Sequence, residues 1–131
     1  MTAVTLGTPT FVRFSDAHAT PTEKEWADLT GAPGLGRLVY FIESRESGLI
    51  KIGISNDPWR RLEQMGDPSQ LKILAVESGG AAREWDLHQR FAEANLMESD
   101  DRDDYPESRV HGAEWFFPAQ PILDYLGPEP Q

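Results

Sequence analysis

The sequence predicts an α+β domain, and the stretch from Tyr40 to Arg61 is the main reason. Two apolar runs rich in Val, Ile, Tyr and Phe flank a turn at Ser44–Gly48, which is the pattern of a β-hairpin. Asn56 or Asp57 can then cap a helix whose first position is a proline. A further apolar run and a longer amphipathic segment follow, so strands and helices mix within one small domain.

Composition limits the kind of protein this can be. With 131 residues, 39% of them hydrophobic, the chain suits one domain with one core. The absence of cysteine excludes disulfides and thiolate metal sites. No apolar run approaches the roughly 20 residues of a membrane span, and Met1–Thr10 lacks the basic start of a signal peptide. We therefore expect a cytoplasmic protein without a membrane partner.

The charge is unevenly distributed. A net charge of -10 argues against a non-specific DNA binder. Residues 98–107, however, hold six acidic residues and one arginine. The net charge of this segment is -5, half of the net charge of the chain. Between Arg37 and Met97 eight basic and nine acidic residues leave a net charge of -1. The predicted core is thus near neutral, and the acidic segment is either a solvated loop or a mimic or shield of nucleic acid.

Residues 1–36 are predicted to form an N-terminal extension that packs on the domain. A short strand is expected at Phe11–Phe14. Thr22–Glu25 has the capping-box pattern, which predicts a short helix that ends at about Leu29. Trp26 would dock this helix on the core.

The predicted domain spans residues 37–127, and residues 128–131 form a tail. The first strand of the hairpin is apolar on both faces, which suits a central strand covered on both sides. The later predicted elements are a helix at Pro58–Met65, a strand at Leu71–Glu77, a helix at about Ala81–Leu96, a mobile acidic loop at 97–112, an edge strand at Glu114–Phe117 and a helix at Pro118–Leu126.

The hairpin and its helix are expected to bring Tyr40, Lys51 and Arg61 together. A phenol, an ammonium and a guanidinium at one place suit a phosphate or another anion. A lysine that faces a tyrosine would lower the pKa of the phenol from about 10 towards that of a useful general base. Each residue also has an ordinary interpretation: a packed strand tyrosine, a solvated lysine and a surface arginine.

Two further features of the sequence indicate a site. Gly53 lies inside the second strand, where a glycine often marks close approach by another backbone or a ligand. Glu84 and His88 lie one turn apart on a helix face that is otherwise apolar, so they need a partner. They are either a satisfied core pair or, for Glu84, the single carboxylate ligand of Mg²⁺.

Five short motifs occur in a fixed order between about Arg37 and Pro118. They are VYFI at Val39–Ile42, KIGIS at Lys51–Ser55, DPWRRL at Asp57–Leu62, EWDLHQRF at Glu84–Phe91 and GAEWF at Gly112–Phe116. Together they resemble the GIY-YIG nuclease superfamily, and most closely its phage-ORF branch, which includes the meiotically up-regulated gene 113 domain.

The resemblance implies a three-stranded, mainly antiparallel sheet flanked by helices, and DNA hydrolysis with one Mg²⁺ or Mn²⁺ ion. By motif position, Tyr40 would activate water or attack the phosphate, Arg61 would hold the phosphate and Glu84 would bind the metal. His88 could serve as a proton carrier beside Glu84. Further substrate contacts are expected from Gly53, Ser55, Arg60 and Glu114.

The chain departs from the superfamily pattern in several places. Leu38-Val39 replaces the Gly-Ile before the first tyrosine, and Lys51 replaces the second tyrosine, as is usual in this branch. Met65 stands where many members have His or Tyr, and the late Asn has no counterpart. These departures keep a second hypothesis open, a catalytically inactive module that binds nucleic acid or a protein partner. A small-molecule phosphate hydrolase is disfavoured because no glycine-rich phosphate loop is present.

Overall fold

The computed structural model describes residues 10–16, 19–31, 37–67 and 69–130. In chain order, the regular elements are β1 (Phe11–Arg13), α1 (Glu23–Gly31), β2 (Leu38–Ser44), β3 (Ile50–Ser55), α2 (Pro58–Met65), β4 (Leu71–Ser78), α3 (Gly80–Arg90), β5 (Trp115–Phe116) and α4 (Gln120–Leu126). Within these ranges no helix has the length and apolar character that crossing a membrane requires.

The strands form one antiparallel sheet in the order β1-β4-β2-β3-β5. The α+β class is confirmed, but the expected three-stranded sheet is wrong, because the sheet has five strands. The two additional strands are its edges, with three residues in β1 and two in β5. Strands this short show no alternation of apolar and polar residues, so the sequence does not reveal that they pair with the sheet.

β2 is the central strand, as predicted, and it separates two cores. Val39 and Phe41 face α3 and α4 on one side of the sheet. Leu38, Tyr40 and Ile42 face α1 and α2 on the other side. Because side chains alternate along a strand, its neighbour β3 turns Lys51, Gly53 and Ser55 towards the α2 side.

The described part of residues 1–36 is joined to this sheet. β1 pairs with β4, and Leu29 of α1 is completely buried in the core on the α2 side. The predicted capping box is present: the Glu25 amide donates to Thr22 Oγ1 at 3.1 Å, and the Thr22 amide donates to Glu25 Oε1 at 2.8 Å. The predicted strand at Phe11–Phe14 is confirmed as β1 to within one residue.

One predicted boundary near the acidic segment is wrong, and the segment itself has more regular structure than expected. The helix expected to reach Leu96 ends at Arg90. The expected loop at 97–112 is built mainly from short 3₁₀ turns, and a last turn at Gly112–Glu114 leads into β5. Its anchors are non-local, since Ser47 donates a hydrogen bond to Glu107. Leu96, just before the segment, is buried in a third, smaller core beside the hairpin.

Candidate functional site

The site lies where β3 is left open on its outer side. β5 pairs only with Ile50 and Lys51, so the rest of that edge of β3, from Ile52 to Ser55, has no partner strand among the residues that the structure describes. We call this stretch the open edge. At its start, His88 Nε2 lies 2.8 Å from the carbonyl oxygen of Ile52. A carbonyl only accepts hydrogen bonds, so Nε2 carries the proton and His88 satisfies the first free carbonyl of the open edge.

Tyr40 lies across the open edge on the α2 side of the sheet. Its cross-strand partner is Gly53, and the ring covers the glycine backbone. A Cβ atom added to Gly53 would stand 2.6 Å from Cζ of the ring and closer still to the hydroxyl oxygen. The glycine was expected to admit another backbone or a ligand. In the structure it admits the phenol of Tyr40, so Gly53 acts as a positioning residue.

The pKa of Tyr40 moves opposite to the direction that the sequence suggested. Burial raises the pKa of Tyr40 to about 12, and the negative charges of Glu114 and Glu84 add to the shift, while Arg61 opposes it. The predicted lowering of this pKa by Lys51 is therefore wrong. Lys51 Nζ lies 6.0 Å from the centre of the Tyr40 ring and 3.5 Å from Glu114 Oε2. The main partner of Lys51 is therefore Glu114, and not the hydroxyl group of Tyr40.

Glu84 reaches the same region from α3, on the other side of the sheet. Burial raises the pKa of Glu84, the charge of His88 opposes this, and Glu114 adds to it. Arg37 and Lys51 also lower this pKa, so their charges act on the Glu84 carboxylate. Its Oε2 atom is buried and has no hydrogen-bond partner among the described residues.

α3 is fixed in place by an ion pair on the residue before Glu84. Arg83 Nε donates to Glu77 Oε2 of β4 at 3.0 Å, and Glu77 is almost fully buried. Tyr125 of α4 donates a hydrogen bond to the other oxygen of Glu77. The hydrogen bonds to the buried Glu77 carboxylate therefore join β4, α3 and α4. They also set where Glu84 enters the site.

A groove with three arginines lies beside the open edge, at the start of α2. It has a volume of about 250 Å³ and is lined in part by Ser55, Arg37, Arg60 and Arg61. The three guanidinium groups have no hydrogen-bond or ion-pair partner within the described ranges. Asp57 is the one acid among the lining residues, and its Oδ1 accepts from the Arg60 amide at the helix cap. We call this feature the arginine groove.

The structure thus brings most of the predicted site residues together. Three of them, Lys51, Gly53 and Ser55, share the face of β3 that Tyr40 covers, and the arginines of α2 line the adjoining groove. Glu114 was expected to contact substrate, but in the structure Lys51 pairs with it. The Ser55 hydroxyl accepts a hydrogen bond from the Asp57 amide at 3.1 Å and also lines the groove.

Arg37 is the residue of this site that the sequence did not indicate. It lies in none of the motifs and precedes β2 by one position. The signal that could have found it is the hairpin register, because Leu38 pairs with Ser55 at the end of β3. The residue before Leu38 therefore lies beside the start of α2.

The residues present fit a single-carboxylate metal site. The part of the chain that the structure describes has no group of three or more His, Cys, Asp and Glu that could enclose a metal ion. Mg²⁺ commonly uses one or two carboxylates, with water and phosphate oxygens completing its shell. The Oε2 atom of Glu84 would supply one such ligand, and the arginine groove would supply a place for phosphate.

Comparison of the chain with protein-family models, with curated proteins and with solved structures found no match.

Replacing Gly53 by alanine tests the contact with Tyr40. We expect Gly53→Ala to lower the free energy of unfolding by about 1–3 kcal/mol, because the added methyl group overlaps the ring. In a Tyr40→Leu background the same change should cost less than half as much, since no ring is left to displace. Urea unfolding of the four proteins measures this coupling. Equal costs in both backgrounds would contradict the contact.

The raised pKa of Glu84 predicts a pH-dependent gain in stability for Glu84→Gln. A carboxyl group whose pKa is higher in the folded protein than in the unfolded chain costs stability once the pH rises above its ordinary value, which is 4.5. Glu84→Gln should therefore be more stable than the parent at neutral pH. That advantage should shrink as the pH falls through the raised pKa and level off below the ordinary one. A stability difference independent of pH, measured by urea unfolding, would contradict the shift.

Proposed function

We propose that this protein is a metal-dependent DNA endonuclease of the GIY-YIG kind, which hydrolyses phosphodiester bonds with one Mg²⁺ or Mn²⁺ ion. The observation that carries the proposal is the buried, unpartnered Oε2 of Glu84, whose charge acts on the Tyr40 phenol at the open edge. A free buried carboxylate oxygen is costly. A bound cation removes that cost, and the neighbouring arginine groove accounts for the substrate phosphate.

Arg61 is the residue proposed to hold the phosphate that reacts. Its charge acts on Tyr40, and its guanidinium has no partner within the described ranges that would have to be displaced. A guanidinium can bind two phosphate oxygens at once and stabilise the charge that develops on them. Arg37 and Arg60 would hold neighbouring phosphates of the strand.

Tyr40 is proposed to act on the water that attacks the phosphate, or on the phosphate itself. With a pKa of about 12 its hydroxyl keeps the proton at neutral pH, so in this state Tyr40 is available as a hydrogen-bond donor. The chemistry that a divalent cation at Glu84 supplies is Lewis acidity, which lowers the pKa of nearby oxygen acids. Gly53 leaves the space that keeps the phenol at the open edge.

His88 and Lys51 are proposed to support the site. His88 donates a hydrogen bond from Nε2 to the first carbonyl of the open edge, that of Ile52. The charge of His88 favours the ionised form of Glu84. Lys51 forms an ion pair with Glu114, whose negative charge adds to the raised pKa of Tyr40. The proton-carrier role for His88 would use its other ring nitrogen.

The enzyme proposal predicts that cleavage requires both the metal and Glu84. Wild-type protein should nick supercoiled plasmid in Mg²⁺ or Mn²⁺ and not in chelator. Glu84→Gln should lose activity by about 100-fold or more, the scale seen when one group that stabilises the transition state is removed. Glu93→Gln, a change at an exposed acid in the 3₁₀ turn that follows α3, is the matched control and should cleave normally. Equal cleavage by Glu84→Gln would contradict the assignment.

A catalytically inactive binding module is the second candidate, and the raised pKa of Tyr40 is the observation that favours it. A phenol that stays protonated is a poor base on its own. Such a module would bind nucleic acid through the arginine groove, or a protein partner.

Salt dependence separates DNA binding from a protein partner. Three phosphate contacts predict that the logarithm of the affinity for duplex DNA falls against the logarithm of salt with a slope of about -2 to -3. Arg60→Ala should make the slope shallower by about one, whereas Arg90→Ala on α3 should leave it unchanged. Fluorescence anisotropy with Glu84→Gln measures this without cleavage. No DNA binding at low salt would favour the protein partner.

A further inference from the structure

We propose that a second groove beside Arg61 binds the unpaired base of the nucleotide next to the reacting phosphate. The DNA substrate would then be single-stranded, or opened, at the point of cleavage. This inference rests on the proposed function and names its substrate class.

The second groove lies between α2 and the turns that precede β5, and its volume is about 420 Å³. Its apolar surface comes from Met65, Pro106, Val110 and Trp115. Val110 is 66% exposed, which makes it the most exposed large hydrophobic residue of the described chain. An apolar concavity with a few polar groups at its rim is the usual form of a site for a small planar ligand.

The second groove and the arginine groove meet at two side chains. Arg61 and Gln64 line both of them. In a nucleotide the phosphate and the base are separated by a single sugar, so a phosphate on Arg61 places its own base within reach of the adjoining groove. Gln64 has both a donor and an acceptor to offer to the edge of that base. The proposed occupant therefore follows from the position of Arg61.

Charge decides which part of the strand enters the second groove. The charged residues that line it are Glu107, Lys51 and Arg61, and Lys51 is already paired with Glu114. A phosphate beside Glu107 would be repelled by its carboxylate, while a neutral base would not. Met65, Pro106 and Val110 offer the base apolar surface, and burying such surface is favourable. The groove therefore selects the base and leaves the phosphates to the arginines.

The backbone at the mouth of the second groove is strained. His111 has a φ angle of 54°, and no other residue except glycine has a positive φ in the described ranges. Strained backbone of this kind persists where the surrounding structure fixes it, often at binding sites. Here it precedes the turn at Gly112–Glu114 and follows the exposed Val110.

The inference has a direct consequence for the substrate. A base within an intact duplex is paired and stacked. Moving it out of the duplex into the groove requires free energy for unpairing and unstacking. A strand whose base is already unpaired enters without that cost. Its contacts in the groove cover apolar surface of Met65, Pro106 and Val110, which favours binding. Single strands should therefore bind better than duplex, although duplex has the higher charge density.

The test uses three labelled DNAs with Glu84→Gln, so that none is cleaved. They are one single strand, the duplex of the same strand, and a strand of the same number of phosphates that has sugars but no bases. Fluorescence anisotropy should give at least 10-fold tighter binding for the single strand than for either other DNA. Equal affinity for all three would overturn the base site and leave the proposed function intact. Failure to bind any of them would overturn both.

A matched pair of variants places the effect in the second groove. Val110→Asp should bring the affinity ratio of the single strand to the base-free strand towards one. Leu123→Asp adds the same charge to an exposed apolar residue on α4 and should leave the ratio unchanged. The ratio cancels any general repulsion of DNA by the added charge. An unchanged ratio in Val110→Asp would overturn the proposal.

Discussion

The ring of Tyr40 lies on the bare backbone of Gly53, and the rest of the site depends on that contact. It places the phenol at the part of β3 that β5 leaves uncovered. Because β5 is only two residues long, the edge beyond it stays free, and α3 comes close enough for His88 to bond the Ile52 carbonyl. A longer β5 would close the edge and separate Glu84 from Tyr40. The shortness of one strand thus allows side chains from both faces of the sheet to act on one another.

Charge in this protein is separated in space. None of residues 98–107 lines the arginine groove, and the guanidinium groups of Arg37, Arg60 and Arg61 have no acidic partner among the residues described. Lys51 is different, because Glu114 neutralises it at 3.5 Å. A chain with a net charge of -10 can therefore offer a local site for phosphate. Under the proposal, the three unpaired arginines of one groove attract phosphates, and Glu107 makes the neighbouring groove less favourable for them.

Local signals in the sequence predicted local structure well. α2 spans Pro58–Met65 as expected. The residues that set its ends are the Asp57 cap, the first-turn proline and the terminal glycine, and all of them lie within one short segment. The features that the sequence missed are non-local. The end of α3 and the pairing of β1 and β5 depend on residues far apart in the chain. The pKa of Tyr40 depends on burial and on Glu114, which is distant in sequence, so the nearby Lys51 gave the wrong direction.

The central claim is that the free oxygen of Glu84 is a metal ligand. Electron paramagnetic resonance of Mn²⁺ tests it directly, with wild type and Glu84→Gln each bound to the same uncleavable oligonucleotide. The account predicts one additional bound Mn²⁺ in the wild-type complex that is lost in Glu84→Gln, although both proteins bind the DNA. The same amount of bound Mn²⁺ in both complexes would contradict it.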